Sequence, residues 1–137
     1  MNVTVTTSGD SFQTWIDTNY PNLSDKTPAG DPDNDGLSNE SEYAFGLDPS
    51  SGSSCSPIVA PLDKTSGEFT YTRRATPATT NLSYQVWTSP DLSQWTLDVG
   101  AVQQLDSTVA GVETVTVTLS GAKPLAASKL FVRVTAD

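Results

Sequence analysis

"ETVTVTLS", residues 113–120, sets Val115 and Val117 against Thr114, Thr116 and Thr118. A period of two places the two sets on opposite faces of an extended chain, and both residue types are β-branched. The stretch is expected to be a strand with an apolar inner face. The same period recurs on either side of it. "GEFTYTRR" (67–74) puts Phe69 and Tyr71 together, and "LSYQVWTS" (82–89) does so for Leu82, Tyr84 and Val86. "KLFVRVTA" (129–136) sets Leu130, Val132 and Val134 against Phe131 and Arg133. With "PIVAPL" and "WTLDVGAV" the pattern predicts about six short strands after Pro57, separated by turn residues. The expected class is mainly β: an antiparallel β-sandwich of the fibronectin III or immunoglobulin kind over residues 57–137.

Upstream the period changes. In "DSFQTWIDTNYP", Phe12, Trp15 and Ile16 fall at i, i+3 and i+4, one face of a short helix capped by Asp10 or Ser11 and closed by Pro21. Residues 1–9, polar and Thr-rich, are read as a tether or an edge strand. A second helix is expected in "LSNESEYAFG", with Leu37, Tyr43 and Ala44 on one face and Gly46 at its C-cap. Residues 10–50 thus form a helical segment. The Ser-, Gly- and Pro-rich residues 51–56 read as a linker to the sandwich.

Composition removes many functions. The 137-residue chain has 16 acidic and 7 basic side chains, a net charge of −9, and no histidine. Nucleic acid and anionic membrane surfaces call for positive charge and are not expected partners. Without histidine, Ser-His-Asp and Cys-His catalysis and His-based metal sites are excluded. The single cysteine, Cys55, can form no internal disulfide and has no neighbouring base to activate it. No apolar run approaches the roughly 18 residues needed to span a bilayer, and the first residues lack the features of a signal peptide.

One stretch carries clear metal chemistry. In "DPDNDGLSNESE", residues 31–42, Asp31, Asp33 and Asp35 stand at loop positions one, three and five, Gly36 follows, and Leu37, Asn39 and Glu42 stand at seven, nine and twelve. This is the complete spacing of an EF-hand-like calcium loop. Alternate side chains of a tightly wound loop converge on one point, glycine allows the bend, the Leu37 carbonyl adds a neutral oxygen, and the following helix swings Glu42 in as a bidentate lid. An oxygen-only set with a flexible lid suits Ca²⁺ better than Mg²⁺. A single loop is expected to act as a structural staple rather than a switch of paired hands. Leu37 is expected to point into the core.

Taken together, the Phe12–Trp15 pair, "DPDNDGLSN", "SEYAFGLDP", "DLSQW" and "LFVRV" resemble the C-terminal modules of large secreted proteins of environmental bacteria, with a calcium loop similar to those of dockerins and thrombospondin type 3 repeats. The resemblance covers residues 12–134. It implies an extracellular module that binds structural Ca²⁺ and serves a non-catalytic, accessory role beside the other domains of a parent protein. Asp25 and Asp48 match recurrent acidic positions, for a second ion or for helix capping. The chain has one loop where a dockerin has two, so cohesin binding is not expected.

The remaining acids are scattered over turns and strand ends and form no acid–base pair, so no catalytic residue is assigned. Binding is sought among the aromatics. Phe69, Tyr71 and Tyr84 fall on inward faces, and Trp95 is expected to fill the core. Trp87 alternates with Val86 and should face outward beside Gln85, at a position that is polar in the modules it resembles. Trp87, Gln85 and Arg74 are the candidate ligand-binding residues, for a polysaccharide or oligosaccharide stacked on the indole. The sequence thus points to a secreted, monomeric, calcium-stabilised carbohydrate-binding module. The alternatives are a spacer or protein–protein assembly module and, further off, a carboxylate-dependent glycan-active enzyme.

Overall fold

The computed structural model describes residues 4–54, 56–75, 82–127 and 129–136, with side chains from Phe12 onward. The chain is mainly β. Helices α1 (Thr4–Asn19) and α2 (Asn39–Phe45) precede strands β1 (Ile58–Asp63), β2 (Glu68–Arg74), β3 (Tyr84–Ser89), β4 (Thr96–Leu97), β5 (Val102–Val109), β6 (Val112–Thr118) and β7 (Phe131–Ala136). They form two antiparallel sheets, ordered β1-β2-β6-β5 and β4-β3-β7.

The alternating residues build the centre. Val115 pairs across with Tyr71, and Val117 with Phe69, so the inward sides of β2 and β6 lie side by side. All four are buried, and they share one apolar cluster with Tyr84 and Val86 of β3 and Val134 of β7. The two sheets therefore contribute to a common core. A polar thread also crosses between them: the Tyr71 hydroxyl donates to Gln103 Oε1 at 2.5 Å, and Gln103 Nε2 donates to the Tyr84 carbonyl at 3.1 Å.

Strand β5, which carries Gln103, had no clear signal in the sequence. Its apolar residues Val102, Leu105 and Val109 are exposed, and they are spaced so that they do not alternate cleanly. It is held by pairing with β6 over its whole length, with a register shift between Leu105 and Ser107. Backbone hydrogen bonds, rather than burial, make it a strand.

The helical segment belongs to the same core. Ala44 and Phe45 of α2 lie in the cluster with Phe69, Tyr71 and Tyr84. The last carbonyls of a helix have no partner within it and must be met from outside. Here the sheets meet three of them. Arg74 Nε donates to Tyr43 O at 2.9 Å, the Tyr84 hydroxyl to Ala44 O at 2.5 Å, and Thr72 Oγ1 to Phe45 O at 2.9 Å. Gly46 then ends the helix at φ 72°, a left-handed turn that glycine adopts without strain.

Helix α1 is longer than expected. It starts at Thr4 and not at the Asp10 or Ser11 cap, so residues from Thr4 are helical and are neither tether nor strand. The physical reason lies in the turn containing Phe12 and Ile16. Both are buried against Tyr43, and once such a turn is anchored, adding further turns costs far less than starting a helix. The serine-rich residues expected as a linker form turns on the helical segment: Asp48 N donates to Ser54 Oγ at 3.0 Å, and Ser54 N to Ser51 O at 2.9 Å. Cys55 lies outside the described residues.

Candidate metal centre and outer aromatic face

The acidic loop is wound by bonds from its own backbone amides to its aspartates. One carboxylate oxygen of an aspartate often accepts from a nearby backbone amide, and here those bonds set the winding. Asp31 Oδ1 accepts from Asp35 N at 3.1 Å and Asp31 Oδ2 from Gly36 N at 3.0 Å. Asp33 Oδ1 accepts from Asp35 N at 3.3 Å, and Asp35 Oδ1 from Leu37 N at 2.8 Å. Gly36 takes φ 93° where the chain bends. The result is an Asp31, Asp33, Asp35 triplet, each offering an oxygen within 4.8 Å of the others, that could hold a metal ion. Glu42 is not part of that triplet.

The oxygens left over are the informative ones. Asp33 Oδ2, Asp35 Oδ2, Asn39 Oδ1 and both Glu42 carboxylate oxygens are buried and meet no hydrogen-bond donor among the described residues. Glu42 is fully buried. Burial, then the charges of Asp33, Asp35, Asp31 and Asp48, push its carboxyl up to about 8. Burial, with Asp31 and Asp35 alongside, also raises Asp33. A buried carboxylate without donors is costly unless a cation or a proton meets it. The donor set is oxygen alone and fits a hard divalent cation.

One expectation about the loop needs correction. Leu37 is half-buried and belongs to neither apolar cluster; it stands before the N-cap Ser38, outside α2, and lines a cleft beside that helix. Asn39 spends its amide on the fold: Nδ2 donates to Asp25 O at 2.8 Å and to Thr27 O at 2.9 Å, tying residues 25–27 to the start of α2. Only its Oδ1 remains for a ligand. Asp25 and Asp48 are likewise engaged locally and cap no helix. Asp25 Oδ1 accepts from the amide and hydroxyl of Thr27, which hold its carboxyl below the usual range, and Asp48 Oδ1 accepts from those of Ser50.

The candidate ligand residues do not all come together. Trp87 and Gln85 do share the outer face of the β4-β3-β7 sheet, as their alternation with Tyr84 and Val86 requires. Trp87 is half-buried, with Nε1 donating to Thr135 Oγ1 at 2.9 Å. Arg74 is elsewhere. It sits on β2 in the other sheet, with its guanidinium 4.6 Å from the Tyr43 ring and 5.1 Å from Trp15, and is spent on holding the helices. Its neighbour Arg73 pairs with Glu113 at 2.8 Å. Alternation along β2 could not show this, because the helices that cover Arg74 come from distant sequence.

Sequence reasoning missed the real neighbours of Trp87. Arg133 is its cross-strand partner on β7, with the guanidinium 5.7 Å from the Trp87 ring and 4.4 Å from that of Trp95. Trp95, expected in the core, is half-buried and outside both clusters. It precedes β4, whose Leu97 pairs with Trp87, and so it shares the parity of the outer face. Phe131, also of that parity, is 37% exposed. The only signal for this grouping in the sequence was the alternation of Phe131 and Arg133 with inward valines.

Comparison with known families, curated proteins and solved structures gave no match. Among the described residues no helix is long and apolar enough to cross a membrane.

Proposed function

We propose that this chain is a calcium-stabilised, non-catalytic accessory module of a secreted multidomain protein, with an immunoglobulin-like sandwich that carries a glycan-binding face. The observation that supports the metal is the set of buried oxygens without donors on Asp33, Asp35, Asn39 and Glu42, beside a triplet completed by Asp31. Asp31, Asp33, Asp35, the Leu37 carbonyl, Asn39 Oδ1 and Glu42 would hold the ion, and Ca²⁺ would supply the positive charge that these oxygens lack. The role is structural, because α2 carries Glu42 on one side and gives Ala44 and Phe45 to the core on the other. The sandwich reading rests on the strand order and on the shared core of the two sheets.

The glycan reading is favoured by the half-buried Trp87 and Trp95 on one sheet face. Indole faces suit the C–H surfaces of a sugar ring, and Gln85 can add a hydrogen bond. Arg74 is no longer part of the site. The spacer or assembly alternative shares the metal but lacks the sugar. Calorimetric titration with Ca²⁺ tests the first part: saturable binding that Glu42→Gln weakens at least tenfold is expected, and no heat would remove the metal. Affinity electrophoresis on a panel of polysaccharides tests the second. Retardation that Trp87→Ala weakens about tenfold is expected, and equal migration in every gel would leave the assembly alternative.

A further inference from the structure

The tryptophans of the outer face hold a charge that the fold does not use. Arg133 is exposed, with its guanidinium over the rings of Trp87 and Trp95 at 5.7 and 4.4 Å. A guanidinium resting on a ring is attracted by the π-face and spends none of its N–H donors there. Among the described residues no acceptor takes a hydrogen bond from those donors, and no carboxylate pairs with the group. Other basic side chains do find acceptors. Lys26 and Arg73 donate to carboxylates, and Lys64, Arg74 and Lys123 donate to backbone carbonyls.

The surrounding residues supply no partner either. Acids outnumber bases 16 to 7 in the chain, yet of the residues with outward parity in β3, β4 and β7 Arg133 alone is charged. It shares the face with Gln85, Trp87, Leu97, Phe131 and Thr135. The acids that flank β3 and β4 in sequence are bound to nearby amides. Asp91 Oδ1 accepts from Ser93 N at 2.9 Å and Gln94 N at 3.0 Å, and Asp98 accepts from Gly100 N at 3.1 Å and Ser120 N at 3.0 Å. The strands thus present an aromatic surface with one fixed cation.

We propose that this face selects an acidic glycan, with a uronate carboxylate on Arg133 and its sugar ring against a neighbouring indole. This selectivity rests on the glycan reading and adds the charge of the sugar to it. A planar guanidinium presents parallel N–H groups that match the two oxygens of a carboxylate, and such charge-assisted bonds are stronger than neutral ones. The net charge of −9 repels anions at long range. At about 0.15 M salt that field is screened beyond about 8 Å, so the contact itself decides.

The test compares polymers that differ only in charge. The whole chain is run in affinity gels containing hyaluronan, glucuronoxylan or polygalacturonate, and in gels of their carboxyl-reduced forms, in which each uronate is a neutral sugar. At least one uronate polymer should bind with a dissociation constant about tenfold below that of its reduced form. In Arg133→Gln that ratio should fall to about one, and Arg133→Lys, which keeps the charge without the fork, should lie between. A readout that needs no variant is the Arg133 Nε–H resonance, which should move with oligosaccharides of the bound uronate polymer and stay with their reduced forms. Neutral forms bound as tightly as acidic ones, or an unmoved Arg133 resonance, would overturn this selectivity and leave the glycan reading standing. No retardation by any polymer, acidic or neutral, would remove both. Tighter binding of a sulfated galactan than of every uronate polymer would overturn the carboxylate assignment.

Discussion

The acidic loop and the outer face of the β4-β3-β7 sheet solve opposite problems. The loop draws its groups from twelve consecutive residues, and its spacing brings one carboxylate oxygen each of Asp31, Asp33 and Asp35 within 4.8 Å of the others. Its buried oxygens want a partner. The outer face draws Trp87, Trp95 and Arg133 from β3, the β4 approach and β7, and these groups satisfy one another through ring–cation contacts and the Trp87–Thr135 hydrogen bond. A site made of one stretch leaves its chemistry visible in sequence and its electrostatics unsatisfied. A site made of three strands does the reverse.

The largest expected effect breaks this contrast at the loop. Ca²⁺ at about a hundred times its Kd should stabilise the parent by about 2.7 kcal/mol, seen as a rise in Tm against a chelator control. Glu42→Gln should raise the Tm of the metal-free chain at neutral pH, because the parent must take up a proton on folding to bury this carboxyl beside three aspartates and the amide need not, and should lose most of the Ca²⁺ response. An unchanged Tm in parent and variant would show that the loop needs no cation.

Next comes Arg74, which separates the two regions. Arg74→Ala removes a charged hydrogen bond to Tyr43 O and two ring contacts, and should cost about 2 kcal/mol by urea unfolding. Its migration in polysaccharide gels should equal that of the parent. A loss of retardation without loss of stability would return Arg74 to the ligand site.

Smaller effects belong to the outer face. Trp87→Ala should weaken glycan binding about tenfold in affinity electrophoresis and cost about 1 kcal/mol of stability through its contacts with Arg133 and Thr135. Gln85→Ala, with a single side-chain amide to lose, should weaken the same binding by less than about fivefold. A Gln85 effect exceeding that of Trp87 would mean that hydrogen bonding, rather than stacking, holds the sugar.

Legibility followed the range of the interactions. Phe69, Tyr71, Val115 and Val117 were readable as core because a strand's period of two maps directly onto burial. β5 was not, because its exposed valines and leucine carry no burial pattern and its place rests on pairing with β6. The loop ligands were readable from spacing, yet the engagement of the Asn39 amide was not, since its acceptors Asp25 O and Thr27 O are backbone atoms that any residue type could supply. Trp95 looked like core because large apolar residues usually are.

By itself, then, the sequence determined the β class, the inward faces of the central strands and the oxygen-rich loop, since each is a local periodicity with a direct geometric consequence. Only the tertiary structure decided that α2 is capped by Arg74, Tyr84 and Thr72, and that Arg133 lies against two tryptophans. Those outcomes depend on which strands become neighbours, and that choice is made by packing between residues far apart in the chain.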